Sequence, residues 1–232
     1  MGQLLNSHPE LLVSNEARVL EHCLVTGKNV SSIIDALASI SMSEFENGTL
    51  KYDQNFNEEN TRLWQRDWTN ISKNRLPKKK KIRYIGDKKQ GGNSELIMNS
   101  PHVLSLIDMP FKPVTVIRNP EQVYASYLRI NGDPEKSANT TITNMQFGLN
   151  FAKNNDGIIS SYDKLLESPK KWADEICDDF EIERSAEWIE LVTSSVVKHK
   201  KPFRLSGEHA VYFQSHPEYK SLMKLYESCA DT

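Results

Sequence analysis

The chain is 232 residues long, with 38% hydrophobic and 26% charged residues, enough material to bury the core of one domain. A formal net charge of -2 and a sequence pI near 6.3 exclude a general nucleic-acid binder, whose phosphate contacts require an excess of Lys and Arg. No apolar run reaches the roughly 18–20 residues that span a bilayer, and the N-terminus lacks both parts of a secretory signal, so a cytoplasmic protein without membrane contact is expected.

The first residues read as the end of a helix carrying Leu4 and Leu5, stopped by His8-Pro9. The apolar run Leu11-Leu12-Val13 leads to Ser14-Asn15, which read as caps for a helix from Glu16 to Val25. Ile33, Ile34, Leu37 and Ile40 stand at helical spacing and predict a second helix after Ser31. Residues 43–60 are polar and loop-like, and Leu63, Trp64, Trp68 and Ile71 mark a third helical face. The run Lys78–Lys81 reads as a solvated loop.

Buried strands are expected at Ile82–Ile85, Val114–Ile117 and Gly157–Ser161, each short and rich in β-branched residues. Helical sequence separates them: Gly91-Gly92 form a turn before a helix capped at Ser94, Asn119-Pro120 open a helix, and others follow around 141–152, 168–180 and 186–197. A basic irregular stretch, 198–207, precedes a last helix over 219–228. This alternation predicts an α/β fold, a parallel sheet with helices on its faces. The tetrapeptide Ser-His-Pro-Glu occurs at Ser7 and again at Ser215, which reads as coincidence because nothing around it matches. The cysteines Cys23, Cys177 and Cys229 are far apart and odd in number; they read as reduced thiols and imply no metal site.

Ligands of open parallel sheets bind beyond the carboxyl ends of the strands. At the ends expected here stand Asp87-Lys88, Arg118-Asn119 and Tyr162-Asp163. Cations at strand ends, together with the free N–H groups of helix N-termini, point to an anionic ligand.

The segment VTVIRNPEQVYASYLR, Val114–Arg129, resembles the 3′-phosphate-binding segment of sulfotransferases that use 3′-phosphoadenosine 5′-phosphosulfate: a strand ending in Arg, an Asp-Pro-like pair, and a helix with Ser eight positions after the Arg. Arg118 and Ser126 match that Arg and Ser; Asn119 replaces the Asp often found there and keeps its capping ability. NSHPELLVSNEARVL, residues 6–20, is similar to the stretch whose Glu, two residues before an Arg, is the general base; Glu16 and Arg18 match. YIGDKKQ, residues 84–90, looks like the segment whose Lys contacts the transferring sulfuryl group; Lys88 matches that Lys, and because Lys89-Gln90 departs from the usual continuation, Lys89 is the alternative. In SYDKLLESPKKWADEICDDF, residues 161–180, Tyr162 matches the nucleotide-contacting tyrosine.

The resemblance runs in order from Asn6 to about Phe180. It implies a single P-loop-NTPase-like domain over residues 1–232, with a parallel sheet flanked by helices. It implies transfer of a sulfuryl group from 3′-phosphoadenosine 5′-phosphosulfate to a hydroxyl or amine on a small-molecule or glycan acceptor, without a metal. The family's first strand and Pro-Arg-Ser-Gly-Thr-like phosphate loop have no counterpart, since Met1–Leu5 align with the helix that follows them. A truncated chain is therefore expected, and the alternative is a catalytically inactive sulfotransferase-like binding or scaffold protein. A nucleotide-kinase reading has no Walker loop to rest on.

Overall fold

The computed structural model describes residues 2–15, 18–35, 37–38, 42, 78–88, 92–196, 205 and 207–230. Glu16, Ile40, the loop at 43–60, the helix expected around Leu63–Ile71 and the basic run at 198–204 lie outside the described residues. The fold is mixed α/β, mostly helical, with two short parallel two-stranded sheets. Two compact units divide the chain: Met1–Phe111 with Pro169–Val197, and Lys112–Ser168 with Lys198–Thr232.

In the first unit a short helix α1 (Gly2–Asn6) leads into strand β1 (Leu11–Asn15), which pairs in parallel with β2 (Tyr84–Lys88) from Leu11↔Tyr84 to Asn15↔Lys88. Both strands correct the sequence reading. Ser14 and Asn15 do not cap a helix; they continue the strand, and β2 runs through Gly86-Asp87-Lys88 instead of stopping before them. The reason is tertiary. Ser14 is buried, and its hydroxyl donates to Asp87 Oδ1 at 2.7 Å, so a polar residue sits in the ladder without cost. The other oxygen, Asp87 Oδ2, accepts the Val19 N–H at 3.1 Å. Helix α2 accordingly runs Val19–Thr26, its first turn satisfied by a carboxylate from β2 and not by local Ser or Asn. It ends at Gly27, which supplies the left-handed φ of 66° at the C-cap.

Beyond α2, a 3₁₀ turn (Val30–Ile33) is capped by Asn29, and Ile33, Ile34 and Leu37 pack on Val19 and Cys23 as their spacing predicts. Helix α3 spans Gly92–Asn99, so Gly92 opens the helix and Ser94 lies inside its first turn instead of capping it.

The N-terminal turn is held by several bonds to other parts of the unit. His8 is fully buried: Nδ1 accepts the Glu10 N–H at 3.1 Å and Nε2 stands 3.0 Å from the Glu183 carbonyl, which defines a neutral ring protonated at Nε2. Lys79 donates to the carbonyls of His8 (3.0 Å), Leu11 (2.6 Å) and Asn6, and burial pulls its pKa down to about 7. The expected solvated lysine run is thus corrected at Lys79, whereas exposed Lys80 pairs with Glu183 at 2.7 Å. Two helices from later in the chain, α7 (Pro169–Asp179) and α8 (Ala186–Ser195), complete this unit and bring Trp172 and Trp188 to its core.

Burial also lowers the His8 pKa from its ordinary 6.5, which carries a pH dependence. The unfolded chain takes up a proton at 6.5 while the folded ring stays neutral. Stability is therefore complete above 6.5 and lost as pH falls toward the folded pKa, at no more than about 1.4 kcal/mol per pH unit. Thermal unfolding followed between pH 7 and 5 should show this loss, and His8→Gln, which keeps a donor but does not titrate, should show a shallower slope. Equal slopes would remove His8 as the source.

In the second unit β3 (Val114–Ile117) pairs in parallel with β4 (Ile158–Ser161), from Val114↔Ile158 to Ile117↔Ser161. Helix α4 (Pro120–Asn131) follows β3, and the 21-residue α5 (Pro134–Asn154) crosses back. The sequence pattern predicts this helix only from about 141. Its start is Asp133-Pro134, where Asp133 Oδ1 accepts the Lys136 N–H at 3.0 Å and Pro134 has no N–H to satisfy. Helix α5 lies close on β3: a Cβ at Gly148 would stand 3.1 Å from Thr115 Cγ2, and the Thr115 hydroxyl donates to the Gly148 carbonyl at 2.8 Å.

After β4 come α6 (Tyr162–Glu167), which leads on to α7, and then α9 (Glu208–Gln214), which no sequence pattern announces, and α10 (Tyr219–Ala230). Tyr124 of α4 stacks on Phe213 of α9, centroids 4.4 Å apart and planes 5° from parallel, and Ala138, Ile142 and Leu222 close around them. Ile117, Leu149 and Cys229 form a second cluster.

The repeated Ser-His-Pro-Glu folds into the same local turn at both places. At each copy the Ser hydroxyl donates three residues back (Ser7 to Leu4, 2.7 Å; Ser215 to Tyr212, 2.8 Å) and the Glu N–H donates to His Nδ1 (3.1 and 3.2 Å). Each copy ends a short helix, α1 or α9, and turns the chain into the next element.

Candidate functional site

The carboxyl ends of β3 and β4 bring together four residues. The register places Ile117 opposite Ser161, so the residues that follow, Arg118-Asn119 and Tyr162-Asp163, continue side by side. The Arg118 guanidinium carbon lies 5.1 Å from the centre of the Tyr162 ring. Arg118 Nε donates to Gln122 Oε1 at 2.7 Å. Gln122 and Ser126 share one face of α4 at i, i+4 spacing, so Arg118 and the half-buried Ser126 belong to the same side of that helix. Among the described residues Arg118 makes no ion pair: its partners are a neutral amide and a neutral ring, and its terminal nitrogens remain available as a fork.

The helix N-terminus beside it does not supply the expected free N–H groups. Asn119 N–H donates to Asp163 Oδ2 at 3.0 Å, Pro120 has none, Glu121 N–H donates to Asn119 Oδ1 at 3.0 Å, and the Gln122 and Val123 amides both reach the Asn119 carbonyl. An anion placed at Arg118 would therefore meet side chains alone, in contrast to glycine-rich loops whose main chain does that work. Asp163 Oδ2 also accepts the Tyr226 hydroxyl of α10 at 2.7 Å.

At the carboxyl end of the other pair, Lys88 is the last residue of β2, half-buried, with its stem against α1: a Cβ at Gly2 would approach Lys88 Cγ to 3.2 Å. Glu16 lies outside the described residues, but Asn15, which precedes it, is the register partner of Lys88. Arg18 adopts a left-handed φ of 59° and pairs with Glu21 at 3.0 Å.

The structure thus brings Arg118, Tyr162 and the Ser126 face together in the second unit, and places Lys88 in the first. Gln122 and Tyr226 are additions that the sequence does not single out. Only the i+4 spacing from Arg118 could have indicated Gln122, and nothing local indicates Tyr226.

A cysteine–histidine contact also exists: Cys177 Sγ lies 4.0 Å from His8 Nε2. It is no nucleophile, because burial pushes the thiol up to about 12 and Nε2 already serves the Glu183 carbonyl. Among the described residues no helix is long and apolar enough to cross a membrane. No known family model matches the sequence, and no curated protein matches it.

Proposed function

We propose that this chain is a sulfotransferase of P-loop-NTPase-like descent, moving a sulfuryl group from 3′-phosphoadenosine 5′-phosphosulfate to a hydroxyl or amine of a small-molecule or glycan acceptor. The observation that carries the reading is the state of Arg118. A guanidinium stands at the carboxyl end of a parallel pair, fixed by Gln122 and Tyr162, with its charge uncompensated by any described carboxylate. An arginine that only served the core would be neutralised there, because a half-buried charge without a counter-ion is costly. A bound phosphate supplies the missing charge.

In this reading Arg118 and Ser126 take the 3′-phosphate, and Tyr162 contacts the nucleotide while bracing the guanidinium. Lys88 stabilises charge on the transferring group, and Glu16 takes the proton of the acceptor hydroxyl. Sulfuryl transfer is a loose in-line displacement like phosphoryl transfer, so positioning and cationic stabilisation carry most of the acceleration.

Titration with adenosine 3′,5′-bisphosphate, followed by transfer from a ³⁵S-labelled donor to a panel of phenols, alcohols, amines and glycans, tests the reading. Binding with transfer supports it. Binding without transfer, repeated in a chain extended at its N-terminus by a strand and phosphate loop, selects the inactive, scaffold-like alternative. No binding overturns the sulfotransferase reading.

A further inference from the structure

Two consecutive residues after β4 grip two consecutive residues after β3. Tyr162 lies against the Arg118 side chain, and Asp163 accepts the Asn119 main-chain N–H at 3.0 Å. The same Asp163 oxygen accepts the Tyr226 hydroxyl from α10 at 2.7 Å, which ties the carboxylate to the C-terminal helix. We propose that Asp163 is the positioning residue of the phosphate site: by holding the Asn119 amide it sets the turn from which Arg118 projects, with Tyr226 as its anchor.

The role rests on the reading of Arg118 as the ligand of a phosphate monoester. It follows from how few other contacts could aim that side chain. Every main-chain N–H of the first turn of α4 is already used, so the anion depends on the Arg118 fork and the Ser126 hydroxyl. A displacement of the β3–α4 turn moves the fork relative to Ser126, and a misplacement of about 1 Å is enough to cost a site most of its effect. Asp163 gives Oδ2 to an amide and a phenol, and among the described residues it makes no ion pair with the Arg118 guanidinium. A carboxylate that merely capped a helix would have no reason to be shared with Tyr226, 63 residues further along the chain.

The test compares four full-length chains at a temperature where circular dichroism shows each folded: unaltered, Asp163→Ala, Asp163→Asn and Tyr226→Phe. The readout is the Kd for adenosine 3′,5′-bisphosphate by calorimetry. Asp163→Ala should weaken binding about tenfold. Asp163→Asn retains an acceptor for the Asn119 amide and should restore binding to within about threefold of the unaltered chain. Tyr226→Phe, which leaves the carboxylate in place and removes only its anchor, should weaken binding by about two- to fivefold. It also keeps the test decisive should Asp163→Ala fail to fold. A role confined to stability would shift the melting temperature of Asp163→Ala and leave its Kd unchanged. Unchanged affinity in both Asp163→Ala and Tyr226→Phe, or equal losses in Asp163→Ala and Asp163→Asn, overturns the positioning role while leaving the function reading intact. Absence of binding by the unaltered chain overturns that reading and this role with it.

Discussion

Arg118→Ala is expected to weaken binding of adenosine 3′,5′-bisphosphate about 100-fold while the fold persists. The magnitude follows from the hydrogen bonds that alanine cannot make. A guanidinium fork on a phosphate makes two charge-assisted hydrogen bonds, each worth about 1.5–3 kcal/mol, and the lower end of that range, about 3 kcal/mol for the pair, corresponds to a factor of a little over 100. The structural loss is smaller: one hydrogen bond to Gln122 and a ring contact with Tyr162, the latter about 0.5–1 kcal/mol at a partly exposed position. Arg118→Lys keeps a point charge without the fork and without the Nε bond to Gln122, so it should recover only part of the loss, to about tenfold below the unaltered chain. Calorimetric titration of the three proteins checks both values. Unchanged affinity in Arg118→Ala would remove Arg118 from the site and withdraw the main support for a nucleotide-binding function.

The parts of this site that depend on local sequence can be read without the structure. Val114–Ile117 is a β-branched run closed by Asn119-Pro120, and both the strand and the helix start fall where those residues put them. Arg118 and Tyr162 are recognisable because strand ends are where such residues act. The parts that depend on pairing distant segments are hidden. Asp163 reaches across 44 residues to the Asn119 amide and Tyr226 reaches back 63 residues to Asp163, and neither partner marks the other in sequence. The same cause conceals β1. Ser14-Asn15 has the local chemistry of a helix cap, yet Asp87, 73 residues away, takes the Ser14 hydroxyl and then caps α2 itself. A long-range carboxylate thus outcompetes a local cap, which moves both the end of β1 and the start of α2.

The two strand pairs use a common arrangement that only the structure reveals. In each, an Asp at or just past the end of the later strand bonds a main-chain amide beyond the end of the earlier one: Asp87 to Val19, Asp163 to Asn119. The arrangement gives each aspartate a main-chain amide to hold, and among the described residues Arg118 stands at the end of the second pair without an ion pair. An anionic ligand suits that end, where the guanidinium stands, better than a cationic one. The Ser-His-Pro-Glu turns show the converse. Their geometry is set within a few residues, so four identical residues fold alike in different surroundings, and the recurrence could have been read as a helix stop from the sequence alone.

Trp188→Ala is expected to be the most destabilising single change in the first unit, at about 3–5 kcal/mol. The indole is fully buried on α8, and its N–H lies 2.8 Å from the Leu4 carbonyl and 3.1 Å from Ser7 Oγ. Its ring meets the His8 edge at a centroid distance of 4.7 Å and tilts toward Trp172 at 6.2 Å. Truncation opens a cavity between α8 and the N-terminal turn and removes one of the bonds that tie α1 to the rest of the unit. Against a total stability of about 5–15 kcal/mol for an ordinary domain, such a loss is a large fraction of the whole. Trp188→Phe separates the two contributions. It keeps most of the burial and forfeits only the N–H, and since the Leu4 carbonyl still accepts the Ser7 hydroxyl at 2.7 Å, its cost should stay near 1–2 kcal/mol. Urea unfolding monitored by the fluorescence of the remaining tryptophans measures both variants. A loss below about 1 kcal/mol for Trp188→Ala would mean that the N-terminal turn does not depend on α8, because cavities of this kind rarely cost so little.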